Sequence, residues 1–197
     1  MRITSNHHDL FVTRFWTFDL SGLAGHFAEW QRLLAFMRAS SPSPAGRSNR
    51  HGWNSSKSIF ADAQFAPLRQ ASKAAFAHAF RDMTVPGDMR FRLEAWANIH
   101  DPGAYNTAHL HQNVLLSGSF YLQVPEGSGA LVLRDPRLGA VLSPFRGAGA
   151  NNSCNVNIHP EAGTLVIFPN WLEHAVETHE GATPRVCIAM NALAASS

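Results

Sequence analysis

The amino-acid sequence predicts a mainly β fold with a layer of helices at its N-terminal end. Short β-rich runs separated by Gly, Pro or Asn follow one another through the second half of the chain, and no segment of helical period interrupts them. These runs are 89–99, 109–124, 129–134, 164–168, 175–178 and 184–192. Two segments of helical period precede them. Repeated short strands between turn signals are typical of an antiparallel sandwich or barrel.

Both predicted helices lie in the first half of the chain. In 23–37 apolar residues recur at three- and four-residue steps, and Asp19 or Ser21 is available as the N-cap. The same period returns in 65–83. Pro67 suits the first turn of that helix, where its missing N–H is not needed.

Two stretches are expected to be loops, and the chain is expected to form one domain. Residues 40–56 are rich in Ser, Pro and Gly, and 147–157 read as a second, mobile loop. The domain spans 1–197, with a helical layer at about 20–83 and a β core at about 89–193. A separate helical domain is disfavoured, because two helices alone would bury too little apolar surface.

Composition and charge exclude several classes of protein. With 45% apolar and 15% charged residues the chain is globular. A formal net charge of +2 without any cluster of Lys or Arg argues against a nucleic-acid partner. No signal-peptide pattern or membrane-length apolar run is present, so the expected compartment is the reducing cytoplasm. Cys154 and Cys187 are too few for a disulfide framework and do not form a CxxC metal motif.

The first candidate metal ligands are His109 and His111. In a strand, residues two apart point to the same face, so both imidazoles would converge on one point. They would then suit adjacent positions on one ion, at bond lengths of roughly 2.0–2.2 Å. Leu110 would face the opposite side, as a core residue does. The alternative is a polar pair on a solvent-facing strand.

A third histidine, His174, strengthens the metal interpretation. It follows the run 163–173, which reads as a strand that stops at a turn containing Pro169. A late strand of a sandwich can lie opposite an early one, so His174 can meet His109 and His111. Three histidines would supply one face of an octahedral site and leave three positions open. The alternative is a surface histidine at a turn.

Arg185 lies eleven residues after His174, on the next β-rich run. A guanidinium inside an apolar sandwich needs a carboxylate partner, since an unpaired buried charge is costly. Its planar fork suits bidentate binding of a ligand carboxylate. Strand alternation places Cys187 and Asn191 on the same face, where Cys187 lines the pocket or packs rather than acting as a nucleophile. A surface arginine on an edge strand is the alternative.

Tyr121 and Asn98 are further candidate contacts for a bound cosubstrate. Counting by twos from His111 along an unbroken strand places Ser117, Ser119 and Tyr121 on the metal-facing side, unless a bulge at Ser117-Gly118 changes the parity. Asn98, on the preceding strand, faces either solvent or the pocket. A shield of apolar side chains around the site is expected from Phe120, Leu122 and Trp171.

Five stretches of the sequence together resemble the 2-oxoglutarate-Fe(II) oxygenases. They are SNRHGWNSS (48–56), WANIHDPGAYNTAHLHQN (96–113), LSGSFYLQVPEGSGALVLRDPR (116–137), PEAGTLVIFPNWLEHAV (160–176) and RVCIAMN (185–191). They are similar to the uncharacterised H-x-H branch of this superfamily, and the likeness runs from near Leu10 to near Asn191. Each motif alone is weak, but the combination is specific.

The resemblance implies a double-stranded β-helix, or cupin-like jelly roll, with Fe(II) as the metal and 2-oxoglutarate as cosubstrate. By position, it makes His109, His111 and His174 the metal ligands, with no catalytic residue beyond them. Arg185 occupies the place of the arginine that binds the distal carboxylate of the cosubstrate. The implied activity is hydroxylation or a related oxidation of a small-molecule or peptide substrate. Jelly-roll oxygenases often pair, so a homodimer is also an expectation.

The sequence departs from the family pattern at two positions. The wider superfamily has Asp or Glu where this chain has His111, and no Asp or Glu lies between Asp101 and Glu126. Three neutral imidazoles leave the ion more positively charged than two histidines and a carboxylate would, so it stays open whether all three bind. Gln112 replaces the proline that usually follows H-x-H.

Three alternatives to the oxygenase stay open at this point. Gly103 and Gly163 stand at spacings found in cupins, which would make the chain a cupin-type metal dioxygenase, although Trp171 stands where the second cupin motif has Gly. A jelly roll that binds metal without catalysis is the non-enzymatic alternative. A hydrolytic zinc site would use histidines similarly, but no well-placed Glu general base is evident.

Overall fold

A computed structural model describes residues 3–42, 48–55, 59–85, 90–142, 144 and 153–195. Within these residues, two antiparallel sheets face each other and helices cover the outside of the larger one. This is the jelly roll that the sequence predicts. None of the helices in the described part is long and apolar enough to cross a membrane.

The larger sheet has six strands among the described residues. In spatial order these are β1 (Trp16–Asp19), β9 (Thr164–Pro169), β6 (Leu116–Gln123), β11 (Arg185–Ala194), β4 (Phe91–His100) and β3 (Trp53–Asn54). Every neighbouring pair is antiparallel. The longest ladder joins β11 to β4, where Arg185 lies opposite His100.

The smaller sheet carries five strands in the described part of the chain. Its order is β2 (Asn49–Arg50), β5 (Tyr105–His109), β10 (His174–Val176), β7 (Leu131–Arg134) and β8 (Asn155–Ile158). Since β10 pairs with β5, His174 lies opposite His109. A late strand therefore meets an early one, as expected from the sequence.

The helices begin and end close to their predicted positions. A 3-10 turn at Ser21–His26 leads into α1 (Phe27–Ser40), and Asp19 Oδ1 accepts a hydrogen bond of 2.8 Å from the Ser21 N–H. Two further 3-10 turns, Ile59–Ala61 and Ala63–Phe65, precede α2 (Ala66–Asp82), whose first turn contains the proline. A short helix, α3 (Leu138–Val141), follows β7.

The apolar faces of α1 and α2 pack against the outer face of the larger sheet. Their buried side chains join those of the sheet in one cluster, which includes Trp30, Leu34, Phe65, Leu68, Phe76, Phe120, Leu122, Leu165, Ile188 and Met190. Each large apolar side chain buried in this way contributes about 1.5–3 kcal/mol to the free energy of folding. Helices and sheet thus share one core, while a single domain over 1–197 stays a prediction.

The predicted loops are partly strands. Within 40–56 the structure places β2 and β3, which form only because β5 and β4 offer them partners; residues 43–47 and 56 lie outside the described residues. The predicted loop 147–157 contains the start of β8, and its residues 147–152 lie outside the described part.

The predicted run 109–124 is two strands and not one. β5 ends at His109 and β6 begins at Leu116, with a turn between them. Asn113 in that turn has a φ of 59°, a left-handed conformation that Asn adopts more readily than most residues. Strand alternation therefore does not extend from His109 to His111.

Candidate metal centre

Three histidines from two segments of the chain surround one point between the sheets. His109 ends β5, His111 lies in the following turn, and His174 begins β10. The ring centroids of His109 and His174 are 4.3 Å apart, and each is 5.2 Å from that of His111. Their candidate ligand nitrogens all lie within 4.8 Å of one another, which makes this group able to hold a metal ion.

His111 reaches this point through a turn and not through strand alternation. Its N–H donates to the Asn170 carbonyl at 3.1 Å, and the Asn170 side-chain amide donates to the His111 carbonyl at 3.0 Å. These bonds fix the turn after β5 against the turn after β9. Leu110 is 49% exposed as a result, so its predicted core position is wrong.

Hydrogen bonds to backbone carbonyls orient two of the imidazoles. Nδ1 of His109 lies 2.8 Å from the Thr107 oxygen, and Nδ1 of His174 lies 2.9 Å from the Leu172 oxygen. A carbonyl oxygen only accepts, so each Nδ1 carries the hydrogen and each Nε2 keeps its lone pair. The amide of Asn191 lies between Ser117 (2.9 Å) and Nδ1 of His111 (3.3 Å), so its orientation sets the His111 tautomer.

The spacing of two of the nitrogens is close to that of adjacent ligands on one octahedral ion. Nε2 of His111 and Nε2 of His174 are 3.3 Å apart. Two ligands bound at right angles, with bonds of about 2.0–2.2 Å, would lie about 3 Å apart. A small closing movement of the side chains therefore suffices for both to bind.

Burial keeps the imidazoles of His109 and His174 neutral. Burial and, to a smaller extent, the neighbouring His109 together lower the pKa of His174 to about 3. The pKa of His109 is also lowered, chiefly by burial. These two neutral imidazoles offer lone pairs at neutral pH, so they can accept a cation without first releasing a proton.

Arg185 is buried in the same cavity without an anion. Its side chain is 2% exposed and its NH1 lies 3.2 Å from Nδ1 of His100, while its Nε has no hydrogen-bond partner among the described residues. The guanidinium carbon lies 5.2 Å from the centre of the Tyr121 ring. No ion pair of Arg185 occurs within the described ranges. A buried cation in this state calls for a carboxylate from a ligand.

The histidines and Arg185 line one cavity of about 880 Å³ between the sheets. Asn98, Tyr121, Cys187 and Asn191 line it too. Strand parity predicts this for Tyr121, Cys187 and Asn191, whereas for Asn98 the sequence left solvent and cavity as alternatives. β6 has no bulge at Ser117 and Gly118, because its register with β11 is regular there. The register shifts instead between Val186 and Cys187 of β11. The parity that places Tyr121 in the cavity is thus correct, although the strand is interrupted before Leu116.

Tyr121 keeps its proton at neutral pH. Burial raises the pKa of its hydroxyl to about 12, against the opposing effect of Arg185. The hydroxyl can therefore donate a hydrogen bond to a ligand in the cavity.

The apolar shield predicted from Phe120, Leu122 and Trp171 is wrong. Phe120 and Leu122 lie on the face of β6 opposite to Tyr121 and belong to the core beneath the helices. The Phe120 ring lies 6.2 Å from that of Trp30 in α1. Trp171 is 48% exposed in a turn. The apolar lining comes from other residues, which include Trp96, Leu131, Phe168 and Val176. The Trp96 ring lies 6.1 Å from that of His111.

Sequence reasoning missed several buried polar residues in and around the cavity. His100 is 1% exposed behind Arg185, and one more step of two along β4 from Asn98 would have found it. Asn49, Asn54 and Asn98 are joined by side-chain hydrogen bonds across β2, β3 and β4. The SN-x-x-GW motif contains Ser48 and Asn49, but these residues lie beside the cavity only because β2 pairs with β5.

Fold and site together describe a jelly-roll protein with three convergent histidines that could hold a metal ion and, in the same cavity, a buried arginine. Residues 94–191 match the family model described as "Putative 2OG-Fe(II) oxygenase", and the jelly-roll core of the chain belongs to this family. Fe(II) and 2-oxoglutarate are accordingly its cofactors, and the family match favours the oxygenase over the cupin. No curated protein sequence gave a match.

Solved structures with the same fold include three proteins that align over most of both chains. A prolyl-4-hydroxylase from Pseudomonas putida has a TM-score of 0.69 at 14% identity, over 93% of this chain and 94% of that one. HygX from Streptomyces hygroscopicus, with nickel, 2-oxoglutarate and hygromycin B bound, has a TM-score of 0.64 at 14% identity, over 92% and 83%. A Trichoplax adhaerens prolyl hydroxylase in complex with a hypoxia-inducible-factor peptide has 0.64 at 12%, over 91% and 83%. At these identities the likeness establishes the fold.

Proposed function

We propose that this chain is an Fe(II)- and 2-oxoglutarate-dependent dioxygenase that hydroxylates or oxidises a small molecule or a peptide side chain. The observation that carries the proposal is the position of Arg185. A buried guanidinium, which forms no ion pair with a carboxylate of the described residues, lines the same cavity as three convergent histidines. This cavity therefore offers one site for a metal ion and one for an acid group, as a metal-chelating dicarboxylate requires.

Nε2 atoms of His109, His111 and His174 would hold the iron. Bound there, iron supplies the activation of O₂ that couples decarboxylation of 2-oxoglutarate, to succinate and CO₂, to insertion of one oxygen atom into the substrate. The backbone carbonyls of Thr107 and Leu172 hold two of these rings in the required orientation.

Arg185 would bind the distal carboxylate of 2-oxoglutarate. His100 accepts a hydrogen bond from the guanidinium, which fixes the plane of the fork, and Tyr121 packs against it. The amide of Asn98 and the hydroxyl of Tyr121 are available as donors along the cavity. These groups would orient the cosubstrate between the arginine and the metal.

The substrate would enter beside Trp96, whose ring lies near His111. Apart from histidines, Glu94 and Arg185 are the lining residues of the described chain whose side chains are of the charged types Asp, Glu, Lys and Arg. Once Arg185 is neutralised by the cosubstrate, the cavity suits an uncharged or weakly cationic group and not a phosphate. HygX holds the small molecule hygromycin B and the Trichoplax enzyme holds a peptide, and both classes are compatible with this opening. A cytoplasmic location, a homodimer and the absence of nucleic-acid and membrane partners belong to the same proposal.

The direct test is succinate formation from 2-oxoglutarate with Fe(II) and O₂. The wild type is expected to form succinate, slowly without its substrate, and the variant His174→Ala is expected to form none. Added candidate substrates are screened for a gain of one oxygen atom in mass. Wild-type succinate formation no higher than that of His174→Ala would contradict the proposal.

A further inference from the structure

Ser48 contacts the nitrogen of His109 that the metal would use. Its hydroxyl oxygen lies 3.3 Å from Nε2 of His109, while Nδ1 of the same ring is bonded to Thr107. Ser48 lines the cavity and directly precedes β2. The hydroxyl therefore stands at the edge of the metal position and not at a distant wall.

Three hydrogen bonds hold Ser48 in this place. The N–H of Thr107 donates to the Ser48 carbonyl at 3.0 Å, and the Thr107 hydroxyl donates to the same oxygen at 3.3 Å. The side-chain amide of Asn106 donates to the Ser48 hydroxyl oxygen at 2.9 Å. A side chain fixed by both its backbone and its hydroxyl is preorganised.

The bond from Asn106 determines where the Ser48 hydrogen goes. It occupies one lone pair of the hydroxyl oxygen, so the O–H itself is free to donate. In the absence of metal, its acceptor is the lone pair on Nε2 of His109. When a metal ion binds this lone pair, Nε2 of His109 can no longer accept the hydrogen bond from the Ser48 O–H, which then needs another acceptor.

We infer that Ser48 is the hydrogen-bond donor to the oxygen ligand that binds the metal beside His109, which is a carboxylate oxygen of 2-oxoglutarate or, before it binds, water. The inference rests on the proposed function, because the metal is part of it. Ser48 then stabilises and orients the cosubstrate at its metal end, opposite Arg185 at its far end. Outer partners of this kind change affinity at a metal site about 10–100-fold.

The test compares Ser48→Ala with Ser48→Thr, which keeps the hydroxyl. The control is Ser40→Ala, which removes a hydroxyl that bonds Phe36 at the exposed end of α1. Apoprotein is loaded with Fe(II) without oxygen, and 2-oxoglutarate is titrated while the visible charge-transfer band is recorded. Ser48→Ala is expected to bind 2-oxoglutarate about tenfold more weakly, with a displaced band. Ser48→Thr and Ser40→Ala are expected to match the wild type.

The outcomes separate this inference from the proposed function. If the wild type shows the band and Ser48→Ala shows the same band with the same affinity, the inference on Ser48 is wrong and the oxygenase stands. If the wild type binds metal but shows no band, the proposed oxygenase function is contradicted. The inference is then tested with Co(II) alone, whose visible spectrum should differ between the wild type and Ser48→Ala, and identical spectra would overturn it.

Discussion

Three neutral imidazoles at one metal site carry no negative charge. An Fe(II) ion held by His109, His111 and His174 keeps its full charge, whereas a site with two histidines and one carboxylate neutralises part of it. Whether His111 binds as a ligand therefore affects both how tightly iron is held and how strongly it attracts an anionic cosubstrate. Nε2 of His111 lies close enough to that of His174 for both to bind.

His111 variants test its role as a ligand. His111→Ala is expected to weaken Fe(II) binding at least tenfold, because one of three protein ligands is lost. His111→Asp is expected to bind Fe(II) at least as tightly as the wild type, because it adds a negative charge. Anaerobic competition with a chromophoric chelator measures both affinities, with the exposed His159→Ala as control. Wild-type affinity in His111→Ala would mean that only two histidines bind.

Arg185 variants test the carboxylate site separately from the metal. Arg185→Met is expected to weaken 2-oxoglutarate binding about 100-fold or more, since an ion pair formed in a buried place is lost. Arg185→Lys is expected to be intermediate, because an ammonium cannot make the two parallel bonds of a guanidinium. Calorimetry on Mn(II)-loaded protein measures these changes.

The controls for Arg185 isolate the distal carboxylate. The exposed Lys73→Met on α2 removes a cation elsewhere and should bind 2-oxoglutarate normally. 2-Oxobutyrate, which lacks the second carboxylate, should bind the wild type and Arg185→Met equally. If the wild type bound 2-oxobutyrate more tightly than Arg185→Met does, by the same factor as for 2-oxoglutarate, Arg185 would not be the residue that binds the distal carboxylate.

At the scale of elements, α2 packs closely on the middle of the larger sheet. A Cβ on Gly118 of β6 would lie 2.6 Å from the Val166 carbonyl oxygen and 3.1 Å from Cζ of Phe76. Gly118 therefore permits β9 and α2 to approach β6. The site depends on this packing indirectly, because β6 also carries Ser117 and Tyr121 on its other face.

Gly118→Ala is expected to lower the free energy of unfolding by about 1–3 kcal/mol, as overpacking of a core does. The matched control is Gly22→Ala, because nothing lies within 4 Å of the Cβ that it adds. Urea denaturation followed by circular dichroism measures both variants. Equal midpoints for the two variants would show that the approach of α2 to β6 is not as tight as described.

The elements that the sequence predicts well are those with a strong local signal. α1 and α2 have helical period over many residues, and β4 and β11 are long alternating runs. β2, β3 and β8 are short and polar, and they are strands only because distant strands pair with them. Local pattern contains no information on such partners, so these strands read as loops.

The same distinction applies to the site. His174 and Arg185 follow from the order of turns and strands, and strand parity places Tyr121 in the cavity. His111 does lie beside His109 and His174, but a turn containing Asn113 brings it there in place of the strand alternation that the sequence suggested. His100 could have been found by one more step of two along β4 from Asn98, whereas Ser48 depends on the pairing of β2 with β5, which the sequence does not reveal.

At the scale of the whole molecule, buried neutral histidines make the metal-free protein sensitive to acid. Burial lowers the pKa of both His100 and His174 to about 3, against about 6.5 in an unfolded chain. Between these values the unfolded state binds more protons, so stability falls as the pH drops from 6.5 towards 3 and is fully present above 6.5. Each histidine contributes up to about 1.4 kcal/mol per pH unit in that window.

Removing one of these histidines should reduce the acid sensitivity. His100→Gln is expected to lower the dependence of the unfolding free energy on pH between 6 and 4 by about one proton. Metal-free wild type and variant are compared by urea denaturation at several pH values. An unchanged slope in His100→Gln would mean that His100 is not held neutral in the folded protein.

The most direct test of the whole molecule as an Fe(II)- and 2-oxoglutarate-dependent oxygenase is spectroscopic. Fe(II) is added to the apoprotein without oxygen, 2-oxoglutarate is titrated, and the visible metal-to-ligand charge-transfer band is recorded. The band is expected in the wild type and is expected to be absent in Arg185→Ala at the same concentrations. Binding of Fe(II) without any band in the wild type would contradict the oxygenase and favour a jelly roll that holds metal without this cosubstrate.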